Sequence, residues 1–172
     1  MKSSPDPQTL PSFYEGYVNL VHHLDLFEAL EQSGFLMNSL LKTIPEEKGE
    51  FRYAQGKWSI KELLCHMTDA ERIFGYRALR FSRGDETPLP GFEENDYAPQ
   101  ANAHARTLLQ LADEMQRLRA TTMDLFSSFT PEMLQRKGAA NKNVISVINI
   151  GYVIAGHETH HRNILTERYL SA

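Results

Sequence analysis

What most limits the fold of this chain is the spacing of its apolar residues. Four separate segments place them three and four positions apart, the period of a helix face, while strict alternation flanked by hairpin turns is nearly absent. Before Pro45 the stripe runs Leu20, Phe27, Leu30, Gly34, Met37, Leu41. Gly34 weakens the helix but would let a neighbour come close, and Pro45 ends it. A second stripe, Ile60, Leu63, Met67, Ala70, Phe74, Phe81, follows Ser59-Ile60-Lys61-Glu62. That tetrapeptide is a capping box, in which the Ser59 hydroxyl accepts from the Glu62 amide and the Glu62 carboxylate accepts from the Ser59 amide. Arg80 and Arg83 suit the helix C-terminus, and Gly84 the left-handed position beyond it. The third stripe is Leu108, Leu111, Met115, Leu118, Thr122, Leu125, Phe129. It alternates threes and fours, as bundle seams do. Thr130-Pro131 then caps a short helix. The last stripe, Val147, Ile150, Ile154, His157, His161, Ile164, starts from Asn143 or Ser146.

Four amphipathic helices of this length predict an all-α protein, an antiparallel four-helix bundle, in one domain over residues 1–172. Residues 1–14, with Pro5, Pro7 and Pro11, read as a loose arm. Residues 84–103 hold three prolines and two glycines and form a long loop, a common place for function. A net charge of −4 argues against a nucleic-acid binder, which needs a basic face. No apolar run reaches membrane-spanning length, and the N-terminus lacks the apolar core of a signal peptide. The single cysteine, Cys65, excludes an internal disulfide and fits a reducing, cytoplasmic setting.

Chemistry concentrates in the seven histidines. His157 and His161 are four apart, one turn along and about 40° around a helix, on its core stripe. An isolated His-x-x-x-His is as often a hydrogen-bonded pair as a metal site. Here two imidazoles in one turn of a core stripe are expensive to bury, and a divalent ion would offset that. His160 lies on a less apolar stripe and is expected at the rim. A third ligand must come from another helix, and His66, between Leu63 and Ala70, is the candidate. His22, His23 and His104 read as surface or capping residues. Three neutral imidazoles leave an ion with open coordination positions, the pattern of a catalytic site. Asp69 could orient an imidazole or take a proton, although a solvated helix charge is the commoner role. Arg77 could hold an anion. Cys65 points about 100° from His66 and reads as a small core residue. The string His157-Glu158-Thr159-His160-His161 satisfies the bare zincin pattern. The strand edge that such a protease needs for its peptide is not predicted.

Several segments together resemble the DinB-like (DinB/YfiT) superfamily. They are Trp58-Ser59-Ile60-Lys61-Glu62 leading to His66, Asp69-Ala70-Glu71-Arg72, Tyr76-Arg77, Arg83-Gly84-Asp85, Pro88-Leu89-Pro90-Gly91-Phe92 and Gly156-His157-Glu158-x-His160-His161. The resemblance covers roughly residues 15–170 and implies a four-helix bundle with a divalent metal on His66, His157 and His161, often as a homodimer. It also implies a metal-dependent enzyme acting on a small molecule. One option is a transferase that uses a low-molecular-weight thiol, with Asp69 and Arg77 assisting. The alternatives are a hydrolase and a non-catalytic metal-binding or sensing homodimer. Three imidazoles suit zinc, nickel and iron. Phe13, Tyr14 and Tyr17 are aromatics that a partner could cover.

Overall fold

The computed structural model describes residues 4–171. Seven helices and one hairpin follow in order: α1 Ser12–Val18, α2 Leu26–Leu41, α3 Ile60–Ser82, α4 Glu94–Tyr97, α5 Leu108–Ser127, α6 Pro131–Gln135, β1 Lys137–Ala140, β2 Asn143–Ser146 and α7 Val147–Ile164. A π turn, Leu165–Tyr169, continues α7. The protein is therefore mostly helical. The capping box at Ser59 forms as expected, with Glu62 N donating to Ser59 Oγ at 3.1 Å and Ser59 N donating to the Glu62 carboxylate at 2.7 Å. Gly84 takes φ +76° just past α3.

The first apolar stripe is not one helix. Asp25 caps α2 with its own capping box, so Leu20, His22 and His23 fall in the turn between α1 and α2. The hairpin was not anticipated. Its strands have four residues each, and its turn is Asn141-Lys142, both at positive φ, rather than the Asn-Gly that announces such turns in a sequence. The N-terminal segment is not loose from Asp6 onward. Asn149 on α7 accepts from the Asp6 amide at 2.8 Å and donates to the Asp6 carbonyl at 2.7 Å.

Helices α2, α7, α3 and α5 form a ring, each packed on the next, and α5 closes onto α2. Their buried apolar residues fall into two clusters. The first takes Leu26 and Leu30 of α2, Phe74 and Phe81 of α3, Phe126 of α5 and Ile148 and Ile150 of α7. The second takes Met37 and Leu41 of α2, Leu63 and Leu64 of α3, Leu111 and Met115 of α5, and Leu165 beyond α7. Thus α2 and α7 both run from the first cluster to the second, whereas α3 and α5 both run from the second to the first. The neighbours α2/α7 and α3/α5 share a direction, which replaces the wholly antiparallel arrangement expected from sequence. The 83–107 connection makes this possible. It enters the first cluster at Leu89 and the second at Ala103, carrying the chain back along the bundle.

Between the clusters lies a polar layer. Arg119 of α5 sits at its centre, on the face assigned in the sequence to Leu118. Its Nε and Nη2 donate to both oxygens of Glu71 on α3, at 2.9 and 2.8 Å. Its Nη1 donates to the Leu30 carbonyl and Ser33 hydroxyl of α2 and lies 2.8 Å from Glu158 on α7. One buried guanidinium thus joins all four bundle helices. Burial alone would lower its pKa. Glu158 and Glu71 outweigh that and hold its pKa above the ordinary arginine value.

Removing the cation would leave two carboxylates in the core. Arg119→Met should lower unfolding free energy by about 3–5 kcal/mol, read by urea denaturation. Replacing Arg119, Glu71 and Glu158 together by apolar residues of similar size should recover most of that loss.

Candidate metal centre

The histidines of the polar layer face away from Arg119. His66, Ala70, Phe74 and Arg77 recur at helical spacing along one face of α3 and line a cavity of about 390 Å³. His157 and His161 reach it from α7. The Nε2 atoms of His66 and His157 are 3.1 Å apart, and those of His161 and His157 are 3.0 Å apart. All three ligand atoms lie within 4.8 Å of one another. Three nitrogens each about 2.05 Å from a common ion would be about 2.9 Å apart at right angles and about 3.3 Å apart at tetrahedral angles. Both spacings to His157 lie in that interval.

The protonation chemistry agrees with the spacing. Burial lowers the pKa of His66 to about 4. Burial, reinforced by the His66 and His160 imidazoles, lowers that of His161 to about 3. His157 is pushed well below its ordinary value by burial and then by His161 and His66. At neutral pH the cluster is three uncharged rings. His157 Nε2 has two nitrogen neighbours at bonding distance but can carry one proton at most, so hydrogen bonds alone cannot satisfy the set. A cation accepting all three lone pairs can. His161 Nδ1 is buried and has no partner among the described residues, so no hydrogen bond on the far side of that ring fixes its tautomer.

Local packing brings an aromatic cover over the rings. A Cβ at Gly156 would lie 2.2 Å from the Tyr17 carbonyl oxygen, so only glycine lets α1 cross α7 at this point. The crossing sets the Tyr17 ring edge-on to His157 at 5.3 Å between centroids, and Trp58 stacks obliquely on His66 at 4.7 Å. Tyr14 and Tyr17 of α1 line the cavity, as do Phe92, Glu94 and Asn141 from the long loop and the hairpin turn. None of these was identified as a site residue in the sequence. The last three come from a loop and a turn, where no periodicity marks which way a side chain points.

The other expected residues divide. Arg77 is buried and lines the cavity. Asp69 does not: it faces a separate depression with Cys65, Thr68 and Arg72 and lies 3.4 Å from the Arg72 guanidinium. Its 300° turn from His66 carries it past the cavity edge, so it is not placed to orient that ring. His160 stays outside the cluster, against Tyr17. His22 holds the Asn19 carbonyl, and His104 pairs with Glu50, both away from the cavity. Glu158 has the sequence position of a zincin base, but its carboxylate is bound to Arg119 on the opposite side of α7.

Comparisons with known proteins agree with this geometry. A protein of Oceanobacillus iheyensis named "Putative metal-dependent hydrolase" is 27% identical over 144 residues, 80% of this chain and 81% of that one. The solved structure of YfiT from Bacillus subtilis, described as "a probable metal-dependent hydrolase with an unusual four-helix bundle topology", superposes with a TM-score of 0.73 at 14% identity. It covers 99% of this chain and 93% of that one. The mycothiol-dependent maleylpyruvate isomerase superposes with a TM-score of 0.68 at 12% identity, over 81% of this chain and 60% of that one.

Two outcomes follow. Gly156→Ala should push α1 off α7 and cost about 1–3 kcal/mol of stability, seen as a lower melting temperature. In protein stripped by a chelator, stability should fall as pH drops from about 6.5 towards 4. Over that window the unfolded histidines take up protons and the folded ones do not, so each contributes a slope of about 1.4 kcal/mol per pH unit at most. A flat urea midpoint between pH 7 and 5 would contradict the neutral cluster. Residues 29–165 match the DinB superfamily pattern, and the chain belongs to that superfamily.

Proposed function

We propose that this protein is a divalent-metal-dependent enzyme that hydrolyses a small molecule held in the trihistidine cavity. The observation that carries the reading is the gathering of three uncharged imidazoles on the wall of a 390 Å³ cavity, with the His66 and His161 Nε2 atoms 3.1 and 3.0 Å from that of His157. The names borne by the Oceanobacillus iheyensis protein and by YfiT support it. A bound ion supplies Lewis acidity and makes a coordinated water or thiol more acidic. Zinc or nickel suits the all-imidazole set best, with iron a further option.

The chain's own residues do the rest. His66, His157 and His161 present lone pairs held in place by two rigid helices. Tyr17 and Trp58 shield the rings from bulk water. Glu94 is the carboxylate that lines this cavity, and we assign it the proton-accepting role considered above for Asp69. S-transfer from a low-molecular-weight thiol is the second reading. In its favour is a second cavity of 230 Å³, lined by Tyr53, Lys57, Asn95 and Tyr169, which also reaches Trp58 and His161 and has room for a co-substrate. No helix among the described residues is long and apolar enough to cross a membrane. A homodimer belongs to the proposal too. Phe35 of α2 and Leu109 of α5, 68% and 69% exposed, offer apolar surface to a second copy, and light scattering at micromolar concentration tests it.

Elemental analysis of protein purified without a metal-affinity column should find about one divalent ion per chain. His66→Ala and His161→Ala should abolish its retention, and His160→Ala should not. With metal retained, Glu94→Gln should slow hydrolysis of activated esters by about 10²-fold or more. Turnover that requires an added thiol would select the second reading.

A further inference from the structure

Arg77 is the most deeply buried arginine of the protein, 4% exposed, against 8% for Arg119. Arg119 has two carboxylates. Arg52, Arg80 and Arg106, all more exposed, each have one, and Arg72 has two. Arg77 has none within ion-pair distance among the described residues. Its Nη2 donates to the Pro90 carbonyl at 3.0 Å, and its guanidinium lies 5.7 Å from the centroid of the Phe74 ring. The Tyr14 hydroxyl, on the same cavity wall, lies within electrostatic reach of Arg77. These neutral contacts occupy part of a five-donor fork and leave its charge unbalanced. A guanidinium withdrawn from water without a counter-charge is unfavourable by several kcal/mol. The carboxylates elsewhere in this protein show what balances one.

Both Arg77 and Tyr14 line the cavity that holds the three imidazoles. Burial keeps the Tyr14 hydroxyl protonated by raising its pKa, against the opposing pull of Arg77. That hydroxyl can donate its proton to an acceptor in the cavity. We propose that Arg77 and Tyr14 form a carboxylate-binding subsite, and that the substrate is a small monocarboxylate whose apolar body lies between this subsite and the imidazoles. Phe13, Phe74 and Phe92 supply the apolar walls. Glu94 lines the same cavity, and its negative charge opposes a dianion such as a phosphate monoester. The inference rests on reading this cavity as the reaction site.

Trp58 is the chain's single tryptophan and lines the cavity, so its fluorescence reports binding directly. The probes are 3-phenylpropionate, its neutral amide and the phosphonate of equal length. The purified protein should bind the acid at least ten-fold more tightly than the amide and more tightly than the phosphonate. Arg77→Gln should reduce acid binding to the level of the amide. Tyr14→Phe should weaken the acid three- to ten-fold without affecting the amide. If Arg77→Gln does not fold, Arg77→Lys, which keeps charge but loses the fork, should still lower the acid preference. The same titrations in His161→Ala should retain the preference. Equal binding of acid and amide by the unaltered protein would overturn the inference. So would tighter binding of the phosphonate, or a preference lost in His161→Ala but kept in Arg77→Gln or Arg77→Lys, which would put the carboxylate at the imidazoles. Absence of metal-dependent turnover would instead overturn the hydrolase reading and leave the acid preference standing.

Discussion

The architecture turns on the contact between Arg119 and two carboxylates in the middle of the bundle. A four-helix bundle with an uninterrupted apolar core has no physical reason to prefer one axial register of its helices over another. Here each bundle helix brings a polar group or carbonyl to Arg119: Leu30 and Ser33 on α2, Glu71 on α3, Glu158 on α7. Sliding any helix by one turn, about 5.4 Å, would strand a buried charge or a guanidinium donor. The network therefore sets register more than net stability. Register is what a metal centre drawn from two helices requires, because His66 must meet His157 and His161 to within tenths of an ångström.

Much of this was legible in the sequence because helices obey a simple period. The cap at Ser59, the end of α3 at Gly84, Ser146 as one of two candidate starts for α7 and the shared face of His157 and His161 follow from spacing and cap chemistry, while His66, a candidate between Leu63 and Ala70, becomes their third member through the family resemblance. The illegible parts have specific causes. Leu118 and Arg119 are adjacent and both fit the three-four pattern. Hydropathy favours leucine, and only the presence of Glu71 and Glu158 on facing helices makes arginine the inward residue. The shared direction of α3 and α5 depends on where the 83–107 loop ends, which periodicity does not address. Asp69 shows the limit of helical arithmetic: 60° decides whether a side chain borders the cavity or a different surface.

Electrostatically, the polar layer is divided by α7. On one side are two carboxylates and a guanidinium with a net negative charge. On the other are three imidazoles kept neutral by burial and by one another. The first of these sides lies one residue along the helix from His157, so its carboxylates favour a cation in the cavity. It also makes protonation of the imidazoles less unfavourable. The lowered pKa values show that desolvation is the larger effect, and the cluster stays uncharged and able to coordinate.

The string His157-Glu158-Thr159-His160-His161 shows why a short motif fixes less than its context. In any helix the second residue of such a string stands about 100° from the first histidine. It can serve as a base over the metal only if the helix presents that flank to the same cleft. In this bundle that flank faces α5, and Arg119 takes the carboxylate. With Glu158 committed to the core, proton handling at the centre must come from elsewhere on the cavity wall, where Glu94 stands on the long loop. The residue that makes the zincin-like pattern complete is thus the residue that joins the helices. The groups that face substrate lie in segments that no short motif describes.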